Sequence, residues 1–119
     1  MKRHEKINYV EFHASDMEAT KRFFGDVFGW TFEDYGPDYI AFSEQGLDGG
    51  FFLSDKSSSA AEGAALIVFY SENLEETLSK IEPAGGEIVK LIFAFPGGRR
   101  FHFTDPSGNE FGVWAEPAE

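Results

Sequence analysis

The sequence predicts an α+β fold made of two βαβββ modules, whose strands form a curved, open eight-stranded sheet around a cavity. Three observations carry this reading. A strand followed by a capped helix occurs twice, and each helix is followed by short aromatic segments separated by turns. The cap residues Asp16 and Asn73 are 57 positions apart, and the same interval carries Tyr9 to Leu66, Phe24 to Ile81 and Gly29 to Gly86. At 119 residues, each half is too small to bury a core alone.

Module one spans about 7–55. Ile7 to His13 alternate as a strand, with Tyr9, Glu11 and His13 on one face and Val10 and Phe12 on the other. Ser15 or Asp16 then caps a helix in which Met17, Phe23, Phe24, Val27 and Phe28 recur at helical spacing until Gly29 stops it. The segments "WTFEDY", "YIAFSEQ" and "GGFFLSD" read as three strands. Residues 56–64 are small and polar without periodicity, and read as a linker. Module two, about 65–116, opens with the strand "ALIVFY". Asn73 caps a helix carrying Leu74, Leu78 and Ile81, and Pro83 with "AGG" ends it. "AFPGGRR" reads as a hairpin turn, since it lacks the strand-to-helix context and the Lys-Ser/Thr end of a phosphate loop.

Composition narrows the function. A net charge of −11 opposes nucleic acid and anionic membrane as partners, both of which need a basic face. With no cysteine there is no disulfide, thiolate metal site or Cys nucleophile. The start has no apolar signal region and no apolar run is long enough to span a bilayer, so the expected location is the cytoplasm. Half-size modules sharing a core make a homodimer the expected assembly, with modules pairing within or across chains.

The front segment "VEFHASDMEATKRFFGDVFGW" and the back segment "FTDPSGNEFGVW", set in the duplicated pattern, resemble the vicinal oxygen chelate superfamily. This group includes glyoxalase I, bleomycin- and fosfomycin-resistance proteins and extradiol dioxygenases. The narrower likeness is to the small "predicted enzyme related to lactoylglutathione lyase" branch. The resemblance covers the chain from about Ile7 to Glu116 and implies the single glyoxalase-like domain 7–118. It bears on fold more than on activity, because one fold hosts many reactions.

Metal-dependent members of that superfamily hold a divalent ion with His and Glu side chains on the inner sheet face. The resemblance puts those ligand positions on Tyr9, Leu66 and Gly112, with the fourth near Phe52, and none of these suits a hard cation. A register slip does not rescue the set with Glu11 or Glu110, because a one-residue slip sends side chains to the opposite face. The expectation is therefore no cofactor and no metal ligand, with an improvised site of Glu11, His13 and His102 as the alternative.

If the ligand positions face the cavity, alternation sends Tyr9, Glu11 and His13 inward, then Leu66, Val68 and Tyr70, then Arg100, His102 and Thr104, then Gly112, Trp114 and Glu116. Phe12, Ile67, Phe69, Phe101, Phe103, Phe111 and Val113 then pack beneath the helices. The inner set has the makeup of a small-molecule pocket, with aromatic walls and a few convergent polar groups. Glu11 and His102 are the candidate catalytic acid and base, and Tyr9, His13, Tyr70, Arg100 and Trp114 the candidate ligand contacts, Arg100 as a clamp for a carboxylate or phosphate. In resistance-type relatives the positions of Glu11, Arg100 and His102 contact ligand, and in glyoxalase-like relatives that of His13 does.

Each residue also has a structural reading. Glu11 and Arg100 would form a buried ion pair, His13 would be a hydrogen-bonded strand end, and Tyr70 and Trp114 would be core or interface. Two functions follow: a metal-independent protein binding a small organic molecule, anionic if Arg100 clamps it, or a lyase or isomerase using Glu11 and His102 or a rebuilt metal site. Whether the chain is an enzyme at all stays open at this point.

Overall fold

The computed structural model describes residues 2–117. Module one runs β1 (Tyr9–Ala14), α1 (Met17–Phe28), β2 (Glu33–Asp34), β3 (Tyr39–Phe42) and β4 (Asp48–Leu53). Module two runs β5 (Ile67–Tyr70), α2 (Leu74–Ile81), β6 (Glu87–Phe95), β7 (Gly98–Thr104) and β8 (Glu110–Ala115). Each module forms one four-stranded sheet, ordered β1-β4-β3-β2 and β5-β8-β7-β6. In both, the first and last strands pair in parallel and the others antiparallel. The eight strands thus form two four-stranded sheets, with no ladder between β1 and β5.

Both helices start as their caps dictate. Asp16 accepts a bond from the Ala19 N–H at 3.0 Å and Asn73 from that of Glu76 at 3.1 Å. The 57-residue interval fails at the other ends. α1 closes on Gly29, whose left-handed φ of 73° lets its N–H reach the Gly25 carbonyl, whereas α2 stops four residues earlier in its module, ahead of Pro83.

The fourteen phenylalanines explain why the sheets need no ladder between them. Phe23, Phe24 and Val27 of α1 are buried, and their rings reach both sheets: Phe24 lies 5.3 Å from Phe51 and 5.6 Å from Phe111, and Phe23 lies 5.8 Å from Phe103. Phe28 stacks on Phe69 at 4.2 Å, and Phe12 meets Phe111 at 5.1 Å. Such pairs contribute about 0.5–1.5 kcal/mol each beyond burial. One aromatic core therefore serves both modules, and the outward set expected from alternation lies in or against it.

A second tie runs through the Asp-Pro-Ser-Gly-Asn turn. Asn109, fully buried, donates from Nδ2 to the His13 carbonyl at 2.7 Å and to Asp105, and accepts from the Ser58 N–H. Ser107 Oγ accepts from the Ser15 N–H. Residues 56–64 are accordingly more than a linker: Ala60–Glu62 make a 3-10 turn, and the Ala60 N–H donates to Glu110. Three edges also move. β1 starts at Tyr9 rather than Ile7, Leu66 precedes β5, and Glu116 follows β8.

Candidate functional site

Alternation distributes the candidate residues over two separate faces. On the first sheet, Tyr9, Glu11 and His13 share a face with Tyr39 and Phe52. Tyr39 Oη donates to Glu11 Oε2 at 2.9 Å, so it accepts from the Tyr9 hydroxyl at 2.5 Å, giving a directed chain Tyr9, Tyr39, Glu11. Gly50 makes this chain fit: a Cβ there would overlap the Tyr39 ring and its oxygen. Burial, with the bonds to Tyr9 and Glu11, holds the Tyr39 phenol well above the usual range. Beside it a cleft of about 550 Å³ is lined by Tyr9, Glu33, Tyr39 and Asp48. His13 turns away to Ser54, with Nδ1 to Oγ at 3.0 Å, and packs on the Phe52 ring.

On the second sheet, β7 and β8 set His102 opposite Gly112 and Arg100 opposite Trp114. The guanidinium of Arg100 donates from Nε at 3.1 Å and from Nη2 at 2.9 Å to one atom, His102 Nε2. A guanidinium has no lone pair to offer, so Nε2 is the acceptor and the ring proton sits on Nδ1. That proton is donated to Glu110 Oε2 at 3.0 Å. Burial pushes the Glu110 carboxyl up, but the His102 bond and the Ala60 N–H outweigh it and hold the group below the usual glutamate range. Phe93 and Phe95 lie 5.9 and 5.5 Å from the guanidinium carbon, and Trp114 stands edge-on to Tyr70 at 5.1 Å.

The two faces do not meet. Glu11 and His102 share no bond, and the anticipated Glu11–Arg100 ion pair is not formed, because Arg100 is committed to His102 and Glu11 to Tyr39. An apolar cleft of about 380 Å³ lies at the seam between modules, lined by Phe12, Trp30, Phe42 and Phe111 together with Val68 and Tyr70 of β5, but neither Glu11 nor His102 lines it. Glu110 was missed by the sequence reading. Its signal was parity, since 110, 112 and 114 alternate onto one face without any slip.

The family's metal positions do not fit a metal here. Tyr9 is tied to Tyr39, Phe52 and Leu66 have no donor atom, and a Cβ at Gly112 would lie 3.2 Å from Arg100 Nη2. The space next to Gly112 that a ligand side chain would cross thus borders the positive charge of Arg100. Nor do Glu11, His13 and His102 gather as an improvised site, and among the described residues no three His, Asp or Glu side chains do. No step is derived through a metal.

Comparison with known proteins agrees with the fold. The model of the Glyoxalase/Bleomycin resistance protein/Dioxygenase superfamily matches residues 6–113. The chain belongs to that superfamily. Within the glyoxalase superfamily it is 24% identical over 115 residues to CFP32 of Mycobacterium bovis and of Mycobacterium tuberculosis, whose name places it provisionally among glyoxylases. The match takes in 90% of this chain but only 44% of CFP32, so the chain spans less than half the length of these curated relatives.

Among solved glyoxalase-superfamily structures, a glyoxalase-related enzyme from Fulvimarina pelagi superposes with a TM-score of 0.76 at 21% identity, covering 94% of this chain and 88% of that one. Lactoylglutathione lyase from Agrobacterium tumefaciens gives 0.68 at 20% identity, covering 96% of each. Both likenesses establish the shared fold. No described helix is long and apolar enough to cross a membrane.

Proposed function

We propose that this glyoxalase-superfamily protein binds a small organic anion on the inner face of its second sheet, without the metal centre typical of the family. The observation that carries this reading is the Arg100 guanidinium lodged beside Gly112. It is held by His102 through Nε and Nη2, flanked by Phe93 and Phe95, and still has Nη1 and a second Nη2 hydrogen to offer. A carboxylate or phosphate suits that fork, and the edge-on rings of Trp114 and Tyr70 supply apolar surface for the rest of the molecule. Val68, Tyr70 and Phe93 beside Arg100 are exposed, as is Tyr9 on the first sheet, which supports a homodimer whose second copy covers these faces.

An enzymatic reading of the lyase or isomerase kind stands second. It is favoured by the Glu110 bond to His102, which orients an imidazole in the way acid–base chemistry needs, and by the fold shared with lactoylglutathione lyase. Glu11 with Tyr39 would serve such chemistry if a second copy brings the first-sheet face to the second.

Isothermal titration with inorganic phosphate and a series of small carboxylates tests the first reading. Binding is expected for at least one of them and is weakened at least ~10-fold by Arg100→Gln, in line with loss of a charge-assisted bond. Equal affinity in the variant would refute the assignment. Turnover that survives Glu11→Gln but not His102→Gln would restrict the chemistry to the second sheet.

A further inference from the structure

The bond between Arg100 and His102 closes the one nitrogen of His102 that is free of Glu110. Glu110 Oε2 holds Nδ1–H, and both Nε and Nη2 of Arg100 point at Nε2, so neither imidazole nitrogen is open to a ligand. The side chain of His102 is buried and bonded on both sides, so it has little room to swing away. Arg100 is only partly buried and is a rotamer-rich side chain over a residue without Cβ, so it is the partner able to move.

We infer that Arg100 is an anion-operated cap on His102: a carboxylate or phosphate that takes the guanidinium exposes Nε2 as a base, next to the anion that released it. This rests on the anion-binding reading above and gives it a consequence. An anion competes well for the fork, because it adds charge–charge attraction and can accept two parallel N–H bonds, whereas Nε2 offers a single lone pair to both donors. In the capped state Nε2 lies 2.9 to 3.1 Å from the two donors, so an anion that draws the fork off it binds within a side chain's swing of the freed nitrogen, within reach of an atom next to the anionic group.

The substrate class that fits is a small carboxylate or phosphate ester with an acidic C–H or O–H close to the charged group. In the step itself that bond breaks and an Nε2–H bond forms. The electron pair stays on the substrate, and the resulting imidazolium keeps its Nδ1–H on the Glu110 carboxylate. Without an anion the base stays capped, which would keep uncharged analogues unreacted.

Nitrogen NMR of the full-length protein reads this directly. In the free protein, a scalar coupling across the hydrogen bond should join Arg100 Nε–H to His102 Nε2, and the imidazole shifts should report protonation at Nδ1. Titration with inorganic phosphate should abolish that coupling and move Nε2 to the position it holds in Arg100→Gln, while the Nδ1 signal stays bonded to Glu110. His4 and His13 provide unaffected internal references. If phosphate shifts the Arg100 side-chain signals while the coupling and the Nε2 shift persist, the cap is refuted and anion binding survives. If neither phosphate nor a small carboxylate perturbs Arg100, both inferences fail together. The wild-type coupling needs no variant, so an unstable Arg100→Gln does not remove the test.

Discussion

Asp105 is nearly sealed from solvent, and burial pushes its carboxyl from 3.8 up to about 6, against the opposing bonds from Asn109, Ser107 and Gly108. A folded-state value above the unfolded one means that folding favours the protonated form. The stability linked to Asp105 is therefore complete below pH ~4 and is lost as the pH rises through about 6, at a cost of roughly 3 kcal/mol. Asp105→Asn, which cannot ionise, should lack this component. The unfolding free energy of wild type minus that of the variant is expected to fall by roughly 3 kcal/mol from pH 4 to pH 7, and a pH-independent difference would mean that folding leaves the Asp105 carboxyl unshifted. Gly112 supports a second residue-scale prediction. Gly112→Val puts branched atoms where the Arg100 fork lies, so it should lower phosphate affinity while the core beneath, Phe111 and Val113, stays packed. Titration of that variant, with its circular dichroism as a control, separates the two effects.

At the scale of elements, the helix starts and the strand faces were legible, because caps and alternation act over three or four residues. Asp16→Ala removes the Ala19 bond and is expected to cost about 1 kcal/mol of stability by urea denaturation. Gly50→Ala should cost about 1–3 kcal/mol and also loosen Tyr39, since an added methyl overlaps its ring. Hydrogen-exchange protection along β3 and β4 would show whether the loss is local.

What the sequence did not disclose depends on contacts far apart in the chain. That Arg100 and His102 share a face follows from alternation along one strand, but that Glu11 lies beyond their reach does not, since no local pattern encodes how two modules are turned. The anchoring of Ser58 and Ala60 to Asn109 and Glu110 was hidden for a similar reason, since small polar residues look alike whether tethered or free. Glu110 differs: alternation with Gly112 and Trp114 makes its face readable, but its partner His102 lies across the β7–β8 ladder.

For the whole molecule, the exposed Val68, Tyr70 and Phe93 predict association. Light scattering is expected to give the mass of two chains, and Tyr70→Glu, a change at a side chain half open to water, should shift the mass toward one chain with little loss of folded stability. A monomeric wild type at micromolar concentration would contradict this. The Asn109 clasp and the shared phenylalanine core, described above as packing, also bear on how the gene could be divided. Gly63 is exposed, has a φ of 88° and follows the tethered Ser58 and Ala60. A chain broken there would leave each half with a face of bare aromatic rings and neither able to fold alone. Mixed together, they should recognise one another, with Ser58 and Ala60 at the cut end of one fragment finding Asn109 and Glu110 on the other. The protein would then work as a split reporter whose signal depends on reunion.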